Sequence, residues 1–267
     1  MPADPRVSDV DGYYHSILPF YELESVSRAH LAFWRELARE AAPRRILELG
    51  AGLGRITAAL DRIAPAVGVD LSLEMLARAH ARLGAGGPAL FAADIRRPVA
   101  RGAFDLIVAP GDPISHATSL RERRSILRAA ADALTPSGRL VVEGLYRPRG
   151  EIALPVRRVR HSRGVLVIEE AWIPLGVRDL WRARYSYLDR RNDGAERRAE
   201  ASFVARSWNP KTIRGVFAEA GLAVESLWGD FDRRPFTAAA RRIVIVARRT
   251  ASRGARAAPR ARPSRPP

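Results

Sequence analysis

Residues 44 to 55 read RRILELGAGLGR: a short apolar run from Ile46 to Leu49 with a carboxylate inside it at Glu48, then glycines at 50, 52 and 54. An apolar strand that feeds a glycine-rich turn and then a helix is how open α/β sheets build a nucleotide or nucleoside pocket, so this stretch sets the fold and is where function is sought first. Gly50, Gly52 and Gly54 each lack a Cβ where a ligand or the following helix must approach the backbone closely. A dinucleotide fold wants its third glycine one position later, where this chain has Arg55, and that disfavours NAD. Glu48 adds a carboxylate near the end of the strand; a pyrophosphate site has no use for one, whereas a cationic ligand group does.

Upstream of this stretch, residues 1–12 are polar and carry Pro and Gly, which predicts a mobile start. The sequence YYHSILPFY, residues 13–21, reads as a loop or short helix. Leu31, Phe33, Trp34, Leu37 and Ala41 then recur at helical spacing and predict an amphipathic helix over 27–42, stopped by Pro43. Downstream, a helix over 53–63 leads to a second strand over 67–69 that ends at Asp70. Ser72 caps the next helix, and a third strand over 89–92 has Asp94 just beyond it. A fourth strand over 104–109 is followed by the loop PGDPISHAT. Ser119 and Glu122 form a capping-box pair, and a fifth strand spans 140–145 after the turn TPSG. Strands alternating with helices at this spacing imply a mainly parallel α/β sheet covered on both faces.

The pattern changes after Tyr146. Residues 164–208 alternate as strands do, with turn signals around Pro174 and at Asn192-Asp193-Gly194, which predicts an antiparallel insertion of about three strands. Helical spacing returns over 210–220 and closes at Gly221, and strands over 224–227 and 243–247 complete the chain. The boundaries are therefore 1–42 for an N-terminal lid and helix, 43–148 with 209–249 for the core, 149–208 for the insertion, and 250–267 for an Arg/Pro-rich tail expected to be disordered.

The 267 residues, 47% of them hydrophobic, can fill a sizeable core. With no cysteine, thiol catalysis, disulfides and zinc-thiolate sites are excluded. There is neither an H-x-x-H pattern nor a pair of carboxylates suited to a metal, so none is expected. The start lacks the basic and apolar regions of a secretory leader, and no apolar run reaches the roughly 18 residues that span a bilayer, so a cytoplasmic protein away from membranes is expected. The formal charge of +16 resembles a nucleic-acid binder's, but Lys211 is the only lysine, and seven arginines with no acid lie from Arg248 onward. A compositional bias plus a basic tail accounts for most of that surplus, and nucleic acid is not the expected partner.

Taken together, ILELGAGLGR, VGVDLSLEMLARA, FAADIRR, FDLIVAPGD and WGDFDRRPF resemble the class I, seven-stranded S-adenosylmethionine-dependent methyltransferases over about residues 13–248. Within that class the chain looks most like bacterial small-molecule enzymes with an antiparallel insertion after the fifth strand, including N-methyltransferases acting on amino sugars. The resemblance implies a Rossmann-like, doubly wound seven-stranded sheet, mostly parallel with the last strand antiparallel, and S-adenosylmethionine as cofactor. It implies that Glu48, Gly50, Ala51 and Gly52 surround the methionine part of the cofactor, that Asp70 holds the ribose, that Leu71, Asp94 and Ile95 meet the adenine, and that Ala109 lines the methionine side.

On the substrate side the candidates are Tyr14, on the segment that resembles the family's lid, and His116, in the loop after the fourth strand, where a histidine could take a proton from an amine or hydroxyl. Tyr13, His15, Tyr21 and Tyr146 belong with them, whereas His30, His80 and His161 fall on helical or hairpin surfaces without an expected role. Trp172, Trp181, Tyr185 and Tyr187 of the insertion would roof a substrate pocket, shared within a possible homodimer, or pack as core. The expected activity is in-line methyl transfer to an oxygen or nitrogen of a small molecule. The alternatives are an RNA or DNA methyltransferase, against which Pro110-Gly111-Asp112-Pro113 departs from the loop usual in enzymes modifying base amino groups, and a non-catalytic S-adenosylmethionine-binding protein.

Overall fold

The computed structural model describes residues 10–24, 27–147, 152–240 and 242–250; of the mobile start expected over 1–12, residues 1–9 lie outside the described residues and 10–12 are instead the beginning of a helix, and of the tail expected over 250–267, residues 251–267 lie outside them. The chain runs α1 (Val10–Tyr21), α2 (Arg28–Ala41), β1 (Ile46–Leu49), α3 (Arg55–Leu60), β2 (Ala66–Asp70), α4 (Leu73–Leu83), β3 (Ala89–Ala92), β4 (Phe104–Ala109), a 3₁₀ turn (Pro113–His116), α5 (Leu120–Ala133) and β5 (Leu134–Leu145). The insertion follows as β6 (Ile152–Ala153), β7 (Arg157–His161), β8 (Gly164–Pro174), β9 (Leu180–Arg191) and β10 (Glu196–Arg206), after which α6 (Ile213–Glu219), β11 (Leu222–Trp228) and β12 (Arg242–Arg249) return to the core.

All four residues of β1 are buried, as a strand covered on both faces requires. It lies inside a seven-stranded sheet of order β11-β12-β5-β4-β1-β2-β3. β1 pairs in parallel with β2 and β4, and the parallel pairing continues outward to β3 and β5. β12 is antiparallel to both β5 and β11, so it alone opposes the common direction. Leu47 and Leu49 face Ile126 and Leu127 of α5 and Phe217 of α6, whereas Ile46 faces Phe33, Trp34 and Leu37 of α2 with Ile56 and Leu60 of α3. Period-two alternation along one short strand thus divides the core in two. The expected caps are in place: Ser72 accepts from the Met75 N–H, and Ser119 and Glu122 cap α5 reciprocally. No helix among the described residues is long and apolar enough to cross a membrane.

The fold departs from the sequence reading in three places. The aromatic segment over 13–21 is a full helix, because Tyr13, Ile17 and Phe20 bury against Leu166, Ile168 and Tyr187 of the insertion and tertiary packing completes α1 despite Pro19. The turn TPSG belongs to β5, which starts at Leu134 opposite Phe104 and shifts register before Leu106. The three strands expected over 164–208 are β8, β9 and β10, but among the described residues two short strands ahead of them, β6 and β7, enlarge the sheet, which runs β10-β9-β8-β6 with β7 also pairing β8. β6 holds only two residues and the RRVRH of β7 has a single apolar side chain, so neither carries an alternation signal.

Candidate active site

A cleft of about 360 Å³ opens at the carboxyl ends of β1, β2 and β4. Gly50 turns there with φ +74°, and a Cβ on it would lie 2.6 Å from Pro113 Cβ, so only glycine lets the turn after β1 touch the loop after β4. Gly52 also has positive φ, but an added Cβ would meet nothing within 4 Å and would project into open space. The Gly52 N–H donates to Asp70 Oδ2 at 2.7 Å and the Ser72 N–H to Oδ1 at 2.9 Å, so backbone amides fix the orientation of the carboxylate. Leu71, 55% exposed, lines the same cleft with Ile95.

Of the residues anticipated around a cofactor, Gly50, Gly52, Asp70, Leu71, Asp94 and Ile95 line this cleft together. Three others are placed elsewhere. Glu48 shares the Ile46 side of β1 and is buried against α3, where its carboxylate accepts the Thr57 hydroxyl; burial pushes its pKa up to about 8. The Ala51 methyl packs among Leu76, Ala79 and Leu90, and Ala109 is wholly buried in the core, leaving Pro110 and Gly111 to form the wall expected of it. Asp94 lies at the rim with both oxygens taken by the Arg96 guanidinium, at 2.9 and 3.0 Å from Nε, and that hydrogen bonding holds its pKa down.

A second cavity, of about 610 Å³, lies between the end of β5, α1 and the inner face of the insertion sheet. Tyr13, Tyr185, Tyr187, Phe203 and Trp172 supply flat apolar walls. Glu24, Glu143 and Glu170 line it alongside Arg157, Arg242 and Arg147, and the opposite charges pair, Arg242 with Glu143 at 2.9 Å and Arg147 with Glu170 at 3.6 Å. Of the insertion aromatics, Trp172, Tyr185 and Tyr187 reach this cavity. Trp181 is core instead, its Nε1 donating to Ser207 Oγ. The sequence reading passed over Glu24, Glu143, Glu170 and Phe203. LVVEGL has the same lone acid in an apolar strand that drew attention to Glu48, so Glu143 was within reach of that signal, whereas Glu24, Glu170 and Phe203 carry none.

Tyr14, Tyr21, Gly111 and His116 line both cavities and form their common wall. His116 Nε2 is 3.4 Å from the Tyr14 hydroxyl, and the Phe203 ring centre is 4.8 Å from the imidazole. Burial pushes the His116 pKa down to about 4, so the ring is neutral near pH 7. Its Nδ1 is buried and has no hydrogen-bond partner among the described residues. Burial likewise raises the Tyr14 phenol well above the ordinary tyrosine value, so it stays protonated.

The loop that carries His116 is fastened to β5 by two carboxylates. The Gly111 N–H donates to Glu143 Oε2 at 2.8 Å, and Asp112, in the left-handed region, accepts the Leu145 N–H and caps the 3₁₀ turn. Burial pushes the Asp112 pKa up to about 6 against the attraction of Arg123. That guanidinium is itself buried, stacks over Trp208 at 4.4 Å, and donates to the carbonyls of Ala117, Arg206 and Ser207. Two histidines expected on surfaces are engaged instead with buried carboxylates: His30 Nε2 lies 2.8 Å from Glu143 and His161 Nε2 lies 2.9 Å from Asp189.

Residues 46–138 match a family model described as a methyltransferase domain. No curated protein sequence matches the chain. Among solved structures, the CcbJ methyltransferase from Streptomyces caelestis is similar at 22% identity and a TM-score of 0.71, covering 90% of this chain and 98% of that one. An amino pentose methyltransferase from Micromonospora echinaspora, solved with S-adenosylmethionine bound, is similar at 22% identity and a TM-score of 0.71, covering 87% and 96%. A sugar N-methyltransferase from Streptoalloteichus is similar at 24% identity and a TM-score of 0.68, covering 87% and 92%.

Proposed function

We propose that this chain, an S-adenosylmethionine-dependent methyltransferase of the seven-stranded class by its domain and its fold, methylates a nitrogen of a small polar acceptor held in the second cavity. The residues of the first cleft fit the cofactor. Gly52 leaves open space where a Cβ would project, Asp70 offers a fixed carboxylate to ribose hydroxyls, and Leu71 and Ile95 offer apolar surface to a base. Gly50, Gly52, Asp70, Leu71 and Ile95 would hold it, with the Asp94–Arg96 pair at the rim. When bound, it supplies an electrophilic methyl group on a sulfonium. The protein's share is then alignment, exclusion of water and management of one proton.

The observation that carries nitrogen over oxygen is the weakness of His116 as a base. An amine attacks through its own lone pair once it is in the free-base form, whereas a hydroxyl must lose its proton to become comparably nucleophilic. A histidine with a pKa of about 4 is poorly matched to ionising a hydroxyl, whereas a free-base amine needs no such base. Tyr14, protonated and 3.4 Å from Nε2, fixes the ring. The paired charges and aromatic walls of the second cavity suit a ring bearing several polar substituents. The activities named for two structural neighbours, on an amino pentose and on a sugar nitrogen, support the same reading.

The test is incubation with methyl-labelled S-adenosylmethionine and matched pairs of small sugars that differ only in an amino or a hydroxyl group. Label on the amine member of a pair is expected. Label on the hydroxyl member alone overturns the nitrogen assignment, and cofactor binding without any product across a broad metabolite extract favours a binding protein without turnover.

A further inference from the structure

Arg55, the residue standing where a dinucleotide turn would have glycine, is the first residue of α3. A cation at that position faces the positive end of the helix dipole, so its own helix gives it no reason to be there. Its guanidinium instead turns to the far end of another helix. Nη2 donates to the carbonyls of Tyr21 at 3.1 Å and Glu22 at 2.9 Å, and Nη1 to that of Glu24. These carbonyls close α1 and the turn after it, the end at which a helix leaves acceptors unsatisfied and favours positive charge. The same turn is gripped by Arg78 of α4 through Glu22 at 3.5 Å and by Arg157 of the insertion through Glu24. α1 carries Tyr14 and Tyr21, which line both cavities.

Resting on the S-adenosylmethionine reading of the first cleft, we propose that Arg55 is a positioning residue for cofactor binding: it ties the end of α1 to the glycine turn, so that ordering residues 50–54 around the cofactor and seating Tyr14 and Tyr21 over the cleft are one event. A lysine in its place keeps the charge, but its donors radiate from one nitrogen, whereas the planar guanidinium spreads them over two that reach the carbonyls of Tyr21 and Glu22 on one side and Glu24 on the other.

Two measurements on wild type, Arg55→Ala and Arg55→Lys test this: amide hydrogen exchange of the cofactor-free protein, and calorimetric titration with S-adenosylmethionine. The Ala variant is expected to exchange α1 amides at least tenfold faster while β1 and β4 amides keep the wild-type rate, and to bind the cofactor about tenfold more weakly, with Lys between. Wild-type exchange in α1, or faster exchange with unchanged affinity, overturns the proposal. Should the Ala variant exchange faster in β1 and β4 as well, the Lys variant decides by the same two criteria. A wild-type protein that binds no S-adenosylmethionine overturns the functional reading and this proposal with it; wild type and Arg55→Ala binding equally well overturns the proposal alone.

Discussion

The Tyr14 hydroxyl and His116 Nε2 meet at 3.4 Å across the wall between the two cavities, although 102 residues separate them in the chain. One sits on α1 and the other on the loop after β4, so the contact exists only when α1 is seated. Replacing His116 by Asn is expected to lower kcat by about 10- to 100-fold, at the low end of what a positioned proton-handling group contributes. Tyr14→Phe, which keeps the ring and loses the hydroxyl, is expected to lose less. Because burial pushes the histidine pKa down to about 4, the acid limb of kcat/KM that belongs to it is expected near pH 4, and on the proposed nitrogen reading a rise between pH 6 and 9 is expected to follow the acceptor amine. An acid limb near 6.5 that vanishes in His116→Asn would show that the ring is not held neutral by burial.

Glu48 makes the stability of the protein fall as pH rises. Its folded pKa of about 8 lies above the unfolded value of 4.5, so between these the folded state holds a proton that the unfolded state has lost, and each unit of rising pH costs at most about 1.4 kcal/mol. Glu48→Gln keeps an acceptor for the Thr57 hydroxyl and removes the titration. Urea midpoints measured from pH 5 to 8.5 are expected to decline in wild type and to lose that part of the slope in the variant.

Gly52→Val separates binding from folding. The residue has φ +50°, so a branched side chain costs on the order of 1–2 kcal/mol of backbone strain, but its Cβ meets no atom of the described residues within 4 Å and projects into the cleft. Affinity for S-adenosylmethionine is expected to fall at least tenfold, with a melting temperature lowered by only a few degrees. Calorimetry and thermal unfolding of one preparation check both halves.

Removing the buried charge of Arg123 is expected to be costly. Arg123→Met leaves the carbonyls of Ala117, Arg206 and Ser207 without their donor, a loss on the order of 1–3 kcal/mol for each buried acceptor left unsatisfied, and it removes the positive charge that eases the burial of the Asp112 carboxylate. The same change raises the Asp112 pKa further, so the deficit should be largest well above pH 6 and shrink as the carboxyl protonates below it. Urea unfolding at pH 5 and pH 8 measures both values.

Much of the core was legible because it follows from local rules. The four-residue apolar run of β1, the glycines after it, the Ser72 cap and the Ser119–Glu122 box each specify a geometry within a few residues of themselves. The cleft was legible for the same reason, since Asp70 and Leu71 are placed by the end of one strand. Glu48 shows where that reading stops. A carboxylate near the end of a strand points up or down according to alternation, and here it falls on the α3 side with Thr57 rather than toward the cleft. Ala109 fails in the same way, one residue short of the loop that forms the wall. The second cavity was mostly hidden, because Glu24, Glu143, Glu170 and Phe203 come together only when α1, β5 and the insertion sheet pack, and no spacing in the sequence encodes that meeting. α1 itself was under-read because what completes it is its burial against the insertion sheet.

The common wall has a consequence for how such a protein can change. Among the described residues, no insertion side chain lines the first cleft and no residue of the glycine turn lines the second cavity. The lining they share is Tyr14, Tyr21, Gly111 and His116. On the proposed reading, donor and acceptor recognition are therefore separable inheritances: side chains of β8 to β10 that line the second cavity can change for a new acceptor while the glycine turn is kept unaltered, provided the four-residue seam and the insertion residues that seat α1, Leu166 and Ile168 among them, are preserved.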